Sequence, residues 1–421
     1  MYIPQVIRRM SFQDWGGTES VVFNTTAELT KRGFQSEILA TQALDSTPQS
    51  ARQNVTVKRF PYYYPYWKLS AQSKDLLDRK GGNPMSPALV RYLKTKQPAL
   101  IHGHSMQRMA GMVRQAAHAL NIPYVLSFHG GLLNVPPSEI RDMVSPTRGH
   151  FHYGRLIDPW FGYTRAIQDA TGLICVNPEE AEGLQQRYPH KPVIYLPNGV
   201  TPQTPEVQAA CGQRFRQQHN IPADLPLLLC IGRIDPQKGQ HLALSFIQEH
   251  PQAGLVCIGP ITHPEYAQQL QKTVAEQGLQ NRVWILRGLP PEHQGLADAR
   301  AAAEICIVPS RHEPFGIVVL EAWRQGLPVV ANAVGGLKHL IQDGQNGYLA
   351  TTDQTFWRQV RILLQDAATR KQLGQQGLSD VQQHYSWRAI TQQLTHFYEQ
   401  CHQTHASKTT GGLQYAESHR V

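Results

Sequence analysis

Two glutamates eight residues apart mark the stretch of the sequence best suited to chemistry. Glu313 and Glu321 lie within SRHEPFGIVVLEAWRQGLPVVA, residues 310–331. The apolar run before this stretch predicts a buried strand, and the turn ending at Gly316 leads into a predicted helix that carries Glu321. In an open parallel sheet, ligands bind where strands end and helices begin. A helix beginning near Gly316 would direct its N–H groups at a phosphate. Glu321, about 7 Å further along that helix, would reach the hydroxyls of a ribose.

Two cations occupy a similar place in the sequence. Arg233 and Lys238 lie in CIGRIDPQKG, residues 230–239, at the end of another predicted buried strand. Two cations on one loop suit a diphosphate whose negative charge must be neutralised as it leaves. The alternative interpretation of Arg233 and Lys238 is that they are two ordinary surface cations. For the glutamates, the alternative is that Glu313 is an acidic loop residue and that Glu321 lies on a solvated helix face. Because both motifs directly follow buried strands, a binding site is favoured.

The first half of the chain offers weaker signals. WGGTE links the first predicted strand to the first predicted helix, and Gly16 and Gly17 there would let the backbone approach a phosphate. His129, in SFHGG, follows another predicted buried strand. A plain tight turn and a structural histidine are the alternatives. His102 and His104 also flank a strand end, and no direct chemistry is expected of them.

Short apolar runs alternate with amphipathic stretches along the whole chain, which is the pattern of parallel strands joined by crossover helices. The pattern occurs in both halves, so the expected fold is α/β with two doubly wound domains. The turn dipeptide Asn198-Gly199 opens a polar stretch between them. The predicted division is an N-terminal domain over 1–200, a linker over 201–226, a second domain over 227–385, a helix over 386–402 and a flexible tail over 403–421.

Composition narrows the class of protein. The 421 residues include 40 Lys and Arg against 31 Asp and Glu, and the net charge of +9 favours anionic partners. No apolar run approaches the roughly 18 residues of a membrane span, and the opening MYIPQVIRRM has no long apolar core, so a cytoplasmic protein is expected. Four of the six cysteines lie in apolar runs and are predicted to be buried thiols. No Asp-x-Asp pair occurs, so no metal ion is expected at the nucleotide diphosphate. No other cofactor is expected.

These motifs resemble those of the retaining glycosyltransferases of family 4, which have the GT-B fold of two Rossmann-like domains facing across a cleft. The similarity extends from Gly16-Gly17 through His129 and GRIDPQKG to HEPFGIVVLEAWRQGLPVVA and GLKHLIQDGQNGYL. It implies transfer of a hexose-type sugar from a nucleoside-diphosphate sugar to a glycan, lipid-linked or small-molecule acceptor. It also implies retention of configuration without a covalent nucleophile, and a last helix that crosses back to the first domain.

The resemblance implies roles for a defined set of residues. The catalytic set is His129, Arg233, Lys238 and Glu313. The nucleotide-sugar-binding set is Gly16, Gly17, Arg233, Lys238, Glu313, Phe315, Gly316, Ile317 and Glu321. Within these sets, Glu313 would contact the sugar, Glu321 the ribose and the two cations the diphosphate. His129 would lie beside the reacting sugar.

Two other classes remain as alternatives. An NAD-linked oxidoreductase is disfavoured because no GxGxxG follows a predicted strand. A nucleic-acid-binding protein is disfavoured because the Arg and Lys residues are scattered. The aromatic and basic segment Tyr62–Lys68 is either a buried cluster or a contact with an anionic membrane, which would place the protein peripherally at the inner face of the membrane. A nucleobase pocket is expected around residues 287–289.

Overall fold

The computed structural model describes residues 1–13, 16–129, 147, 149–201, 208–289 and 293–417. Its contacts divide the chain into two compact units. Unit 1 comprises Met1–Pro197 with Ile390–Val421, and unit 2 comprises Asn198–Ala389. Each unit is built on a mainly parallel sheet with intervening helices. The expectation of two parallel-sheet α/β domains is therefore confirmed.

The sheet of unit 1 reverses its strand order near its centre. Its described strands are β1 (Gln5–Arg9), β2 (Ile38–Thr41), β3 (Gln49–Arg52), β4 (Val55–Phe60), β5 (Ile101–Gly103), β6 (Tyr124–Phe128), β7 (Gly172–Cys175) and β8 (Val193–Tyr195). Their order is β3-β4-β2-β1-β5-β6-β7-β8, and among them β3 alone pairs antiparallel. The connections turn in opposite directions on either side of β1 and β5. Such a reversal opens a crevice at the carboxyl ends of the strands.

Several helices of unit 1 begin at side chains that cap them. The described helices are α1 (Gly17–Lys31), α2 (Ala71–Lys80), α3 (Pro87–Lys96), α4 (Gln107–Leu120), α5 (Gly154–Phe161), α6 (Ala166–Asp169) and α7 (Pro178–Arg187). The side chain of Asn177 accepts a hydrogen bond from the backbone N–H of Glu179, and Pro178 occupies the first helical position. This is the sequence pattern that favours a helix start. All five residues of β6 are buried, as expected of an inner parallel strand.

The sheet of unit 2 also reverses its order. Its described strands are β9 (Leu227–Ile231), β10 (Gly254–Gly259), β11 (Val283–Arg287), β12 (Ile305–Val308), β13 (Val329–Asn332) and β14 (Tyr348–Ala350). They are parallel in the order β11-β10-β9-β12-β13-β14, so the reversal lies between β9 and β12. The described helices are α8 (Gln208–Gln218), α9 (Gln240–Glu249), α10 (Pro264–Glu276), α11 (Gln294–Ala302), α12 (Ile317–Trp323), α13 (Leu337–Leu340), α14 (Asp353–Gln365) and α15 (Ala367–His384).

The segment expected to be a linker, 201–226, contains a helix. Residues 202–207 lie outside the described residues, and α8 follows them. Cys211 and Phe215 are buried, and their spacing of four places both on one face of α8. A Cβ at Gly212 would lie 2.5 Å from the carbonyl oxygen of Ala301, so this glycine lets α8 approach α11 closely. The polar composition of the segment concealed this packed face.

The last helix, α16 (Trp387–Glu417), is longer than the predicted 386–402. Residues 403–417, for which the sequence favoured a flexible tail, continue it, and 418–421 lie outside the described residues. The hydroxyls of Thr404 and Ser407 donate to carbonyls one turn earlier, of Gln400 and Gln403. Such bonds let Ser and Thr lie within a helix.

The six cysteines are buried and free. The prediction of buried thiols is confirmed, and it extends to Cys211 and Cys401. Among the helices of the described ranges, none is both long and apolar enough to cross a bilayer.

Candidate functional site

The two motifs singled out in the second half lie where the strand order of unit 2 reverses. The loop that carries Arg233 and Lys238 follows β9, and the loop that carries Glu313 follows β12. β9 and β12 are parallel neighbours, so both loops leave the same edge of the sheet. Ligand sites of open α/β sheets lie at this position.

Lys238 and Glu313 are in direct contact. The Nζ atom of Lys238 lies 2.5 Å from Oε2 of Glu313, and both side chains are largely shielded from solvent. The lysine ends a short 3-10 turn, Pro236–Lys238, which begins where the carboxylate of Asp235 accepts a hydrogen bond from the N–H of Gln237. The structure therefore brings together Lys238, which is predicted to bind the diphosphate, and Glu313, which is predicted to bind the sugar.

Backbone contacts hold the two loops together. The N–H of Arg311 donates to the carbonyl of Gln237 at 2.8 Å. Gly239 has φ +71°, and a Cβ there would lie 2.4 Å from the carbonyl oxygen of Pro309. Only glycine combines this conformation with so close an approach. The ion pair between Lys238 and Glu313 is thus supported by a fixed backbone.

A third loop, which follows β13, contacts the backbone of Glu313. The carbonyl of Glu313 accepts a hydrogen bond of 2.9 Å from the N–H of Gly336, in the loop after β13. Gly335, with φ +50°, lies so close that a Cβ would be 2.2 Å from that carbonyl oxygen. Neither glycine was assigned a role from the sequence, although a Gly-Gly dipeptide in the loop after a predicted strand is a usable signal.

Arg233 has the most exposed side chain of the four charged residues predicted to bind the donor. Its side chain is 44% exposed, and the nearest described carboxylate is Asp235, at 3.8 Å. Asp235 also accepts a hydrogen bond from Thr262, in the loop after β10. The guanidinium of Arg233 is therefore exposed and only loosely held by Asp235, whereas the ammonium of Lys238 is held closely by Glu313.

Glu321 lies on α12 beside a buried arginine that sequence reasoning missed. Nη1 of Arg300, on α11, lies 3.4 Å from Oε2 of Glu321, and Nε of Arg300 donates to Gln325 at 2.6 Å. Burial lowers the pKa of Arg300 to about 10. A single arginine in the Ala-rich stretch ADARAAAE could have been noticed as a buried cation.

The start of α12 depends on Gly316, which has φ +102°. A Cβ at this position would lie 2.5 Å from a methyl carbon of Leu337. Both the positive φ and this close contact therefore disfavour any residue larger than glycine. Phe315 is buried, and Ile317 is partly buried as the first residue of the helix. α12 has seven residues, and it carries Glu321 as the sequence predicted.

In unit 1, the predicted glycines lie at the start of α1. The carboxylate of Glu19 accepts a hydrogen bond of 3.1 Å from the N–H of Gly16 and pairs with Arg9 at 3.0 Å. Gly17 is the first residue of the helix, and Trp15 lies outside the described residues. The loop therefore joins β1 to a 15-residue helix at the point where the strand order reverses.

His129 follows β6, is partly buried and lies next to two buried histidines, His102 and His104. Its Nε2 is 2.9 Å from Nδ1 of His104. Burial lowers the pKa of His129 to about 4, so its imidazole is neutral near pH 7. His102 and His104 are both buried and have no access to solvent for direct chemistry. Gly130 and Gly131 lie outside the described residues.

Of the residues expected near a nucleobase, Arg287 ends β11, and Gly288 and Leu289 follow it. Arg287 is exposed, and a Cβ at Gly288 would lie 2.4 Å from the backbone nitrogen of Pro260. Leu289 is exposed at the end of the described stretch. No group of three or more His, Cys, Asp or Glu within the described ranges is arranged to hold a metal ion.

Comparison with known proteins identifies the family. The model of "Glycosyl transferases group 1" matches residues 213–380, and that of "Glycosyltransferase Family 4" matches residues 15–204. These ranges cover most of both units. The chain belongs to the GT-B glycosyltransferases of group 1 and family 4.

Curated relatives of this glycosyltransferase match it in part. A D-inositol 3-phosphate glycosyltransferase of Corynebacterium efficiens is 32% identical over 45% of this chain and 46% of its own length. A sulfoquinovosyl transferase of Arabidopsis thaliana is 27% identical over 74% of this chain and 58% of its own length. The chain thus spans about half the length of these relatives.

Solved structures show the same fold over nearly the whole chain. Sucrose-phosphate synthase of Thermosynechococcus elongatus has a TM-score of 0.71 at 22% identity, covering 95% of this chain and 98% of its own. An Anabaena protein in complex with UDP-glucose has a TM-score of 0.68 at 18% identity, covering 95% and 100%. The GT-B fold expected from the sequence is confirmed.

Proposed function

We propose that this glycosyltransferase moves a hexose-type sugar from a nucleoside-diphosphate sugar to a glycan, lipid-linked or small-molecule acceptor, with retention of configuration and without a metal ion. The observation that carries the proposal is the contact of Lys238 with Glu313 where the strand order of unit 2 reverses. A cation and a carboxylate in contact suit the two parts of such a donor, because phosphate oxygens need positive charge and sugar hydroxyls need acceptors.

Lys238 and Arg233 are assigned to the diphosphate. Arg233 has a solvent-exposed head that can turn towards a phosphate, since its contact with Asp235 is long, at 3.8 Å. Lys238 can share its three N–H donors between Glu313 and a phosphate oxygen. Negative charge on the diphosphate grows as its bond to the sugar breaks. Both cations therefore stabilise the transition state more than the bound substrate.

The two glutamates are assigned to hydroxyls. Glu313 accepts hydrogen bonds from the donor sugar, and Glu321 accepts them from the ribose. Arg300 holds Oε2 of Glu321, which leaves the other carboxylate oxygen available to a ligand. The backbone of Phe315, Gly316 and Ile317 lies between the two glutamates in the sequence and is assigned to the sugar and phosphate.

Retention is assigned to front-face attack. The acceptor oxygen bonds to the anomeric carbon on the face from which the diphosphate departs, and a departing phosphate oxygen takes the acceptor's proton. No covalent nucleophile is needed in this route. Metal independence is supported by the absence of an Asp-x-Asp pair from the sequence and by the two cations that can neutralise the diphosphate.

In unit 1, Gly16 and Gly17 are assigned to a phosphate and His129 to the transferred sugar. Similarity to a D-inositol 3-phosphate glycosyltransferase and a sulfoquinovosyl transferase supports glycosyl transfer as the reaction class. The UDP-glucose complex of the Anabaena protein makes UDP-sugars the first donors to test.

A donor screen tests this function. The protein is incubated with UDP-, GDP-, ADP- and dTDP-sugars, and mass spectrometry follows slow hydrolysis to free sugar. We expect hydrolysis of at least one sugar nucleotide, undiminished by EDTA. Absence of turnover with every donor, together with binding of NAD, would contradict the reaction class. Loss of turnover in EDTA and its recovery with Mg²⁺ or Mn²⁺ would contradict metal independence alone.

An anionic membrane is a second proposed partner, through exposed side chains of unit 1. The aromatic segment divides into two groups: Tyr62 and Tyr64 donate their hydroxyls to Asp78, whereas Trp67 is 63% exposed. The backbone N–H of Trp67 donates a hydrogen bond to the backbone carbonyl of Phe151, and the residue Phe151 is itself 66% exposed. Neighbouring Trp and Phe side chains in solvent suit a lipid interface.

Basic residues near this pair supply charge complementary to anionic lipid. Lys68 is exposed beside Trp67, and Nζ of Lys74 lies 4.7 Å from the ring centre of Tyr62. The protein as a whole has a net charge of +9. Attraction to anionic headgroups would add to burial of the apolar side chains. Peripheral attachment at the inner face of the membrane would also bring a lipid-linked acceptor within reach.

A further inference from the structure

Three histidines of unit 1 are linked in a buried polar network that the proposed reaction does not explain. His104 lies between Gln5 and His129, with Nε2 2.8 Å from Oε1 of Gln5 and Nδ1 2.9 Å from Nε2 of His129. The rings of His104 and His129 are stacked, 5.2 Å apart at 20°. Gln5 and His104 are buried. Gln5 lies on β1, His104 directly follows β5, and His129 directly follows β6.

The amide of Gln5 has a defined orientation. Its Nε2 lies 3.4 Å from the carbonyl oxygen of Ile3, and a carbonyl oxygen can only accept a hydrogen bond. The same nitrogen lies 3.4 Å from the hydroxyl of Tyr398 on α16. The amide oxygen of Gln5 must therefore face His104.

That orientation determines the proton positions along the network. An amide oxygen accepts, so Nε2 of His104 carries its proton. A neutral imidazole has one donor and one acceptor, so Nδ1 of His104 is an acceptor. The facing atom, Nε2 of His129, must then be the donor. It follows that Nδ1 of His129 has no proton.

Both imidazoles are neutral under ordinary conditions. Burial lowers the pKa of His104 well below its usual value, and the neighbouring His102 lowers it further. Burial also lowers the pKa of His129, to about 4. Near pH 7 the tautomers are therefore distinct states that neighbours can select.

A second set of hydrogen bonds, through Tyr398 and His102, connects Gln5 to the last helix and to β6. The hydroxyl of Tyr398 lies 2.6 Å from Nδ1 of His102, and Nε2 of His102 lies 2.7 Å from the hydroxyl of Ser127. Tyr398 can accept from Gln5 and donate to His102. The last helix thus takes part in holding the amide of Gln5.

Within the described residues, the unprotonated nitrogen of His129 has no hydrogen-bond partner. Its Nδ1 is buried and makes no hydrogen bond with any other part of the described chain. Buried acceptors in native proteins are almost always satisfied, so an unsatisfied one calls for an explanation such as an ordered water, a ligand or a catalytic role. An acceptor at this position suits the hydroxyl of a sugar and does not suit a phosphate oxygen, which offers no proton.

We propose that Gln5 and His104 are positioning residues that hold His129 in the tautomer with unprotonated Nδ1, and that this nitrogen accepts a hydrogen bond from a hydroxyl of the sugar substrate. The substrate class rests on the proposed function. The tautomer is a property of the free protein and does not depend on it.

Nuclear magnetic resonance of the full chain labelled with ¹⁵N at histidine tests the tautomer. Long-range ¹⁵N–¹H correlation at pH 7.5 distinguishes a proton on Nε2 from one on Nδ1, and loss of its signals in His129→Gln assigns His129. We expect the proton on Nε2. A proton on Nδ1 of His129 in the parent would overturn the proposal.

Gln5→Met tests the positioning role. It retains the approximate size of the side chain but removes the acceptor, so we expect His129 to become a mixture of tautomers. Gln359→Met, at a buried glutamine of unit 2, is the matched control and leaves the His129 signals unchanged. An unaltered tautomer in folded Gln5→Met would overturn the role of Gln5.

A titration tests the contact with a hydroxyl. UDP-glucose, or the sugar nucleotide that the donor screen identifies, should shift the Nδ1 resonance of His129, whereas the matching nucleoside diphosphate should not. An equal response to both ligands would overturn the assignment to the sugar. Failure of every donor in the screen would contradict the proposed function while leaving the tautomer result intact.

Discussion

The ammonium group of Lys238 lies 2.5 Å from Oε2 of Glu313, although 75 positions separate the two residues in the chain. The pair joins the loops after β9 and β12. A diphosphate that binds Lys238 must therefore share the lysine with Glu313 or displace the carboxylate. This competition makes the two glutamates of the motif separable by experiment.

Glu313 and Glu321 should differ in their effect on nucleotide binding. Glu313→Gln removes a negative charge beside Lys238, so UDP should bind at least as tightly as to the parent, while transfer falls roughly 10- to 100-fold because a sugar contact is weakened. Glu321→Gln should weaken UDP binding itself. Calorimetry with UDP distinguishes the two variants, and equal losses of affinity would show that the assigned roles are wrong.

Arg300 should act on ribose through Glu321. Arg300→Met keeps a long side chain but removes the cation that holds Oε2 of Glu321. We expect UDP to bind about tenfold more weakly, equivalent to ~1.4 kcal/mol. Inorganic pyrophosphate, which has no ribose, should bind as before.

The matched control for Arg300 is Arg361→Met, at an exposed arginine of the same unit. It should alter neither titration. A parallel loss of UDP and pyrophosphate binding in Arg300→Met would indicate general damage to unit 2 and would contradict a ribose-specific role.

The buried histidines should make stability depend on pH. Burial lowers the pKa of His129 to about 4 from the ordinary 6.5, so the unfolded chain binds more protons than the folded chain between these values. Stability from this group is present above pH 6.5 and is lost as the pH falls towards 4, by at most about 1.4 kcal/mol per pH unit. His102 and His104 act in the same direction.

Urea unfolding at pH 7.5 and pH 5 measures this dependence. His129→Gln should lose less stability over that interval than the parent, because one neutral buried imidazole is gone. His190→Gln, at an exposed histidine, should behave as the parent. A His129→Gln variant with the parent's full pH dependence would contradict the assignment.

Membrane attachment should depend on charge and on two exposed rings. We expect the parent to float with anionic liposomes at low salt and to detach as salt rises, because charges beyond a Debye length of about 8 Å are screened at physiological ionic strength. Trp67→Ser and Phe151→Ser should weaken flotation. Ile362→Ser, at an exposed apolar residue of unit 2, is the control. A parent that stays with the soluble fraction at low salt would contradict membrane binding.

The sequence predicted the two parallel-sheet units because short apolar runs identify buried strands without reference to their neighbours. It also placed Arg233, Lys238 and Glu313 directly after strands, which is where the structure has them. Their contact could not be predicted, because it depends on β9 and β12 being adjacent. Strand adjacency is decided by the whole sheet, and no local pattern records it.

Other features depend on side-chain direction and were missed. Arg300 lies in an Ala-rich helix, and only the three-dimensional structure shows that its side chain contacts Glu321. The partner of His102, Tyr398, is 296 residues away in the chain. The continuation of α16 was missed because Ser, Thr and Gly are typical of mobile ends. The roles of the site residues stay predictions.

Turnover by Lys238→Ala tests the central claim most directly. The measurement is kcat/KM for the donor found in the screen, compared with Lys272→Ala, which removes an exposed lysine of α10. If Lys238 stabilises the leaving diphosphate, its loss should lower kcat/KM roughly 100- to 1000-fold, while Lys272→Ala remains near the parent. Near-parental turnover by a folded Lys238→Ala variant would contradict the account.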